Sequence, residues 1–162
     1  PALTVDHRDF QRREDFDAAL AEQIESHRAD LVILAGFMRI LTPGFVNRFA
    51  GRMMNIHPSL LPRYPGLDTH RRAIDAGDRE AGATVHFVTE ELDGGPAIVQ
   101  ARVPIHPDDT PATLAARVLE KEHLIYPYAV KLFCEGRLGL TGQGATLDGT
   151  LLPRTGLAYL DP

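Results

Sequence analysis

The sequence predicts a single α/β domain in which a mostly parallel sheet is flanked by helices. The first observation is that segments of helical periodicity alternate with short apolar strands along most of the chain. The second is the size and composition: 162 residues, 44% hydrophobic and 24% charged, provide one core but little room for a second domain. We therefore treat residues 1–162 as one domain.

The predicted elements follow from local patterns. Residues 13–29 place apolar side chains at a spacing of four, which is typical of an amphipathic helix, and residues 30–36 are apolar on both faces, which predicts a buried strand. Thr42 and Pro43 are typical start residues for a short helix over 42–50. The other predictions are a strand over 52–56, a helix over 69–77, strands over 82–90 and 97–105, a helix over 109–135 with a kink at Pro127, and short strands within 137–162.

Charge and composition exclude several classes of partner. The chain has 22 acidic and 17 basic residues, a net charge of −5, and no dense Lys/Arg block, so we expect neither nucleic acid nor an anionic membrane as a partner. The longest apolar run, residues 31–38, is too short to span a bilayer. Cys134 is the only cysteine, which suits a cytoplasmic protein, and the seven histidines have no metal-ligand spacing, so no metal is expected.

The segment from Asn55 to His57 suggests chemistry. Residues two apart on a strand share a face, so both side chains would point to one side where ligands of α/β sheets bind. An amide and an imidazole together suit the stabilisation of an oxyanion, and Asp93, in a turn between two strands, could orient and charge the imidazole. We find no Ser or Cys nucleophile motif, which indicates that the attacking group comes from a substrate. Taken alone, His57 also fits a structural histidine and Asp93 an ordinary turn residue.

Four ordered motifs add a resemblance to a known family. They are LAGFMRIL at 34–41, NIHPSLLPRYPG at 55–66, HFVTEELDGGPAIVQ at 86–100 and EHLIYP at 122–127. Together they resemble the phosphoribosylglycinamide formyltransferases of purine synthesis, along nearly the whole chain. The resemblance implies a Rossmann-like fold and the transfer of a formyl group from the co-substrate 10-formyltetrahydrofolate to the amino group of glycinamide ribonucleotide.

The resemblance also implies roles for individual residues. Asn55 would hold the formyl oxygen, His57 would be the acid that stabilises the tetrahedral intermediate, and Asp93 would keep His57 protonated and help remove the proton of the amine. The implied folate-binding residues are Arg13, Met38, Arg39, Ile40, Leu41, Val46, Asn55, Thr89, Glu90, Glu91, Leu92 and Asp93. The implied ribonucleotide-binding residues are Met38, Pro58 and Glu122.

Two departures from the family pattern lead to further expectations. The chain lacks the first strand of the family's sheet and the Gly-rich loop that cradles the ribonucleotide phosphate, so we expect an N-terminally truncated domain with an open apolar edge and weak ribonucleotide binding. Leu119 stands where many relatives have a polar residue that contacts the ribonucleotide.

Three other functions are alternatives to this one. A formyltetrahydrofolate deformylase would use water as the acceptor, and a non-catalytic fragment would only bind folate. A methionyl-tRNA formyltransferase normally has an added RNA-binding domain and a basic surface, which this acidic chain lacks. The resemblance leaves a homodimer open as the assembly.

Overall fold

The computed structural model describes residues 2–160 and has a mixed α/β architecture. In chain order the elements are α1 (Arg13–Ser26), β1 (Val32–Leu34), α2 (Pro43–Arg48), β2 (Met53–His57), α3 (Thr69–Asp75), β3 (Glu80–Phe87), β4 (Ala97–Pro104), α4 (Pro111–Cys134), β5 (Leu138–Thr141), β6 (Gly144–Leu147), β7 (Thr150–Leu151) and β8 (Leu157–Ala158). A 3-10 turn over His7–Asp9 precedes α1. The central sheet has the order β1-β2-β3-β4-β8, and β5, β6 and β7 form a second, small sheet.

Four of the five strands in the central sheet run in the same direction. β1 is parallel to β2 and β4 is parallel to β8, whereas β3 is antiparallel to both of its neighbours. Helices α3 and α4 pack against β3, and α4 also packs against β4. The α/β class with a mostly parallel sheet and flanking helices is therefore confirmed. Within the described residues, no helix is both long and apolar enough to cross a membrane.

The helix start signals are confirmed, whereas the first strand differs from its prediction. Thr42 caps α2 by accepting a hydrogen bond from the Phe45 N–H at 3.4 Å, and Thr110 caps α4 through a reciprocal pair with Thr113. β1 spans only three residues and leaves Ile33 47% exposed, so the prediction of a strand buried on both faces over 30–36 is wrong. The physical reason is position, because β1 lies at an edge of the sheet.

The main core lies between α4 and the sheet. The apolar stripe of this helix is buried at each of its members: Leu114, Val118, Ile125, Ala129 and Leu132. All of these except Leu132 belong to one core cluster with the buried Val85, Phe87 and Val99 of β3 and β4. The helix continues through Pro127. This close packing makes the central sheet rigid.

Tyr126 connects α4 to two strand ends. Its hydroxyl donates to the carbonyl oxygens of Leu34, at 2.7 Å, and Met54, at 3.0 Å. Burial raises the pKa of Tyr126 far above its usual range, so the hydroxyl keeps its proton and the donation persists. The contact holds the helix next to the residue before Asn55.

Candidate active site

Asn55 and His57 lie at the carboxyl end of β2, and β3 places a side chain opposite each of them. The antiparallel register pairs Asn55 with His86 and His57 with Thr84. Directly opposed residues of an antiparallel pair share a face of the sheet, so their side chains meet. The Asn55 Nδ2 lies 3.4 Å from the His86 Nε2, and His57 is only 6% exposed.

Asp93 reaches this pair from the loop that follows β3. Its carboxylate lies 3.4 Å from the His57 Nδ1 and accepts a hydrogen bond of 2.8 Å from the Gly66 N–H. The other carboxylate oxygen lies 3.9 Å from the His86 Nε2. The structure thus brings together Asn55, His57 and Asp93, with the His57–Asp93 separation slightly longer than a direct hydrogen bond of about 2.6–3.2 Å.

The second nitrogen of His57 is also occupied. The Nε2 lies 2.9 Å from the backbone carbonyl oxygen of Tyr64, which can only accept a hydrogen bond. Asp93, as a carboxylate, is an acceptor as well. The Nε2 of His57 therefore carries a proton, and the Asp93 carboxylate faces the other ring nitrogen at 3.4 Å.

A buried polar network fixes the backbone just after His57. The Thr84 hydroxyl donates to the Ser59 carbonyl oxygen at 2.7 Å and accepts from the Leu61 N–H at 3.1 Å. The Gln100 side-chain amide donates to the Leu61 carbonyl oxygen at 2.8 Å. Because Thr84 and Gln100 are both buried, these bonds are shielded from water and hold the loop firmly. The sequence analysis missed this network.

A cavity of about 100 Å³ opens beside Asn55 and Asp93. Ten of the folate-binding residues implied by the resemblance line it: Arg39, Ile40, Leu41, Val46, Asn55, Thr89, Glu90, Glu91, Leu92 and Asp93. Its other lining residues, which the sequence analysis did not name for this role, are Leu34, Phe37, His86 and Val88. A lining that combines apolar side chains with carboxylates suits a flat heterocycle with polar edges.

The other implied binding residues lie outside this cavity. Met38 is 78% exposed, and Arg13 lines a neighbouring groove between α1 and α2. Pro58 borders a small cavity formed with Tyr64 and other residues of its loop. Glu122 is half-buried on α4, and burial raises the pKa of its carboxyl group. The structure therefore does not bring these side chains into the cavity beside Asn55.

Two contacts from α1 hold the wall of the cavity formed by residues 36–42. The buried Asp17 carboxylate accepts a hydrogen bond of 2.6 Å from the Thr42 N–H. The Arg39 guanidinium lies over the Phe16 ring, 5.1 Å from its centroid. On the opposite side, the Asn47 amide donates to Glu90 at 2.7 Å and connects α2 to the loop before Asp93.

His86 is a further residue of the site, to which the sequence analysis assigned no role. It is 2% exposed, and its Nδ1 lies 2.8 Å from the Phe87 carbonyl oxygen. Burial lowers the pKa of the His86 ring. The pairing register of β2 against β3 is the signal that would have identified His86 as a neighbour of Asn55. Among the described residues, no group of three or more metal-ligating side chains could hold a metal ion.

Comparisons with known proteins agree with this geometry. The family described as Formyl transferase matches residues 1–130. The phosphoribosylglycinamide formyltransferase of Escherichia coli (strain K12) is 53% identical over 149 residues, which cover 92% of this chain and 70% of that protein. The relative of the same name from Haemophilus influenzae is 52% identical over 158 residues, covering 98% and 74% of the two chains.

Solved structures give the same picture. The phosphoribosylglycinamide formyltransferase of Coxiella burnetii superposes with a TM-score of 0.92 at 48% identity, over 96% of this chain and 74% of that one. A formyltetrahydrofolate deformylase from Pseudomonas syringae has a TM-score of 0.79 at 30% identity, over 85% and 46%. The chain therefore belongs to the formyl transferase family and, within it, to the phosphoribosylglycinamide formyltransferases.

Proposed function

We propose that the chain transfers a formyl group from 10-formyltetrahydrofolate to the amino group of glycinamide ribonucleotide, a step of purine biosynthesis. The observation that supports this proposal best is the placement of Asn55 and Asp93 on the wall of one cavity, with His57 directly behind Asp93. The names of the relatives support phosphoribosylglycinamide, that is glycinamide ribonucleotide, as the formyl acceptor.

The proposed reaction begins when the amine lone pair of the ribonucleotide attacks the formyl carbon. The carbonyl π electrons move to the oxygen, and an N–H of Asn55 donates to the negative charge that develops there. The His57 imidazolium stabilises the same oxygen, and Asp93 accepts the proton that the amine loses, directly or through water. When the carbon–N10 bond breaks, that proton goes to the folate nitrogen. Formyl transfer then needs no metal.

One contact must change for His57 to act in this way. In the structure its Nε2 proton is donated to the Tyr64 carbonyl oxygen. We propose that the substrate oxygen takes over this donation, which requires the backbone at Tyr64 to move away from the ring while the buried hydrogen bonds at Ser59 and Leu61 stay in place. Pro58, the residue directly after His57, would border the ribonucleotide.

The remaining binding residues are proposed from their positions. The apolar Ile40, Leu41, Val46 and Leu92 would hold the pteridine, with Arg39 and Thr89–Glu91 at its polar edges. Arg13, in the groove beyond residues 36–42, suits the carboxylates of the glutamate tail, and Met38 and Glu122 would border the ribonucleotide. We further propose that the protein acts in the cytoplasm.

A second candidate function is formyltetrahydrofolate deformylase. The observation in its favour is the structural similarity to the Pseudomonas syringae deformylase over 85% of this chain. The two functions share the formyl donor and differ in the acceptor, which is water in the deformylase. The dependence of folate release on the ribonucleotide therefore distinguishes them.

The test is an assay of formyl transfer by the full-length protein, with and without glycinamide ribonucleotide. We expect turnover that requires the ribonucleotide, and we expect His57→Ala to lower kcat by roughly 10²–10⁴-fold through loss of the proton donor. His106→Ala is the matched control, because His106 is exposed on the loop before α4 and should leave kcat unchanged. Formyl release at the same rate without ribonucleotide would instead assign the deformylase reaction.

A further inference from the structure

We propose that His86 is a positioning residue whose neutral ring, protonated on Nδ1, fixes the orientation of the Asn55 amide and so reserves one amide N–H for the formyl oxygen. The inference rests on the formyl transfer proposed above. In addition to Asn55, His57 and Asp93, the reaction would then need a fourth side chain. This side chain determines which end of the Asn55 amide faces the substrate.

The surroundings of His86 determine its tautomer. Its Nδ1 lies 2.8 Å from the Phe87 carbonyl oxygen, and a carbonyl oxygen only accepts hydrogen bonds, so Nδ1 must carry a proton. The ring is 2% exposed, and this burial lowers its pKa, which favours the neutral form. A neutral ring with a proton on Nδ1 has a lone pair on Nε2. The His86 Nε2 is therefore an acceptor.

That acceptor determines how the Asn55 amide lies. The two ends of an amide have nearly the same shape, so hydrogen bonding decides their orientation. With Nδ2 toward His86, at 3.4 Å, an N–H meets the Nε2 lone pair. The reversed amide would set its oxygen against that lone pair, which is repulsive. Nδ2 has two hydrogens, so the second remains available on the cavity side that Asn55 lines.

The neutral ring also protects the partner of His57. Asp93 and His57 are the charged or titratable groups that act on His86, the first raising and the second lowering its pKa. The Asp93 carboxylate lies 3.9 Å from the His86 Nε2, beyond hydrogen-bond distance, and its bonding goes to His57 and Gly66. A protonated Nε2 would turn toward Asp93 and compete with His57 for it.

The first experiment reads the tautomer without any turnover. Long-range ¹H–¹⁵N correlation spectra of the ¹⁵N-histidine-labelled full-length protein would be recorded at about pH 7, with His86→Gln used to assign the signals. We expect a neutral His86 with a protonated Nδ1 and a bare Nε2. A ring protonated on Nε2, whether neutral or charged, would overturn the proposal. This result stands independently of the formyl transfer assay.

The second experiment is a double-mutant cycle between His86→Leu and Asn55→Ala. We expect His86→Leu to lower kcat by roughly tenfold, with little change in either KM, because the misoriented amide no longer serves the transition state. In the Asn55→Ala background the same change should cost little. His86→Gln, which can place an oxygen near the Nε2 position, should recover part of kcat. An equal loss in both backgrounds would reduce His86 to a structural residue and overturn the proposal.

Discussion

Asp93 combines an unusual backbone conformation with contacts to two parts of the site. Its backbone lies in the left-handed region at a φ of 52°, which aspartate tolerates better than most residues with a Cβ. This conformation returns its carboxylate toward β2, where it meets His57 and the Gly66 N–H. One carboxylate therefore holds the imidazole and the 58–68 segment together.

Removing the charge of Asp93 while keeping its shape tests this role. We expect Asp93→Asn to lower kcat by roughly 10²–10⁴-fold, because the amide neither favours the imidazolium nor accepts the proton of the amine. Asparagine also tolerates a positive φ, so the loop should keep its conformation. The measurement is steady-state kinetics together with a thermal unfolding curve.

The control for this variant is Asp148→Asn. Asp148 also has a positive φ, 51°, but it lies in a turn of the small sheet and pairs with Arg137. We expect it to leave kcat unchanged. Full activity in Asp93→Asn would remove Asp93 from the mechanism.

Strand alternation was sufficient to predict that Asn55 and His57 share a location, and the turn before β4 suggested Asp93. The position of His86 was out of reach for the same reasoning. It depends on an antiparallel pairing between β2 and β3, although α3 separates them in the chain and helix–strand alternation suggests parallel neighbours. The positions of Met38 and Arg13 outside the cavity could not be predicted either. The direction of a side chain in a loop or at a helix start depends on tertiary contacts, which the sequence pattern does not give.

Among the elements, α1 supports the cavity proposed to bind folate without lining the cavity itself. Asp17 holds Thr42 at one end of residues 36–42, and Phe16 holds Arg39 near the middle. Both supports come from one turn of the helix. The position of that helix therefore sets the position of the cavity wall.

We expect Asp17→Ala to weaken folate binding through this support. The Thr42 N–H would lose its acceptor in a buried position, which costs about 1–3 kcal/mol of unfolding free energy. The KM for 10-formyltetrahydrofolate should rise several-fold, while the KM for the ribonucleotide changes little. Asp15→Ala, on the exposed face of the same helix, is the matched control. An equal rise in both KM values would indicate general destabilisation instead.

Element starts were easier to predict than element ends. Thr42 with Pro43 and Thr110 with Pro111 are local signals, since a cap bonds to N–H groups only three residues away. The length and burial of β1 are not local. They depend on which neighbours the sheet provides, and the apolar run at 31–38 contains no information about that.

For the whole molecule, two histidines that are partly or fully removed from water make stability depend on pH. Burial lowers the pKa of His70 and His86 below the ordinary value of 6.5. Between the lowered and the ordinary values, the unfolded chain binds more protons than the folded one, so the free energy of unfolding rises with pH. The contribution of both groups is present above the ordinary value of 6.5 and is lost as the pH falls from there through the lowered pKa values.

We therefore expect the free energy of unfolding to decrease from about pH 7.5 to about pH 5.5, as measured by urea denaturation. His70→Gln should reduce this slope, because it removes one of the two rings whose pKa is lowered, whereas His106→Gln on the surface should not. A further loss should follow at more acidic pH, where Asp109 and Asp148, whose pKa values arginine partners lower, become protonated. A slope unaffected by His70→Gln would contradict the assignment.

The contacts of Tyr126 have a consequence for the order in which parts of the site form during synthesis. Its hydroxyl joins carbonyl oxygens 92 and 72 residues earlier in the chain, and ribosomes synthesise proteins from the N-terminus. The segments with Asn55, His57 and Asp93 thus leave the ribosome before the helix that supports them. A nascent chain stopped before Tyr126 has the three proposed catalytic side chains without the helix that packs against the sheet. The site is completed only when α4 has been translated.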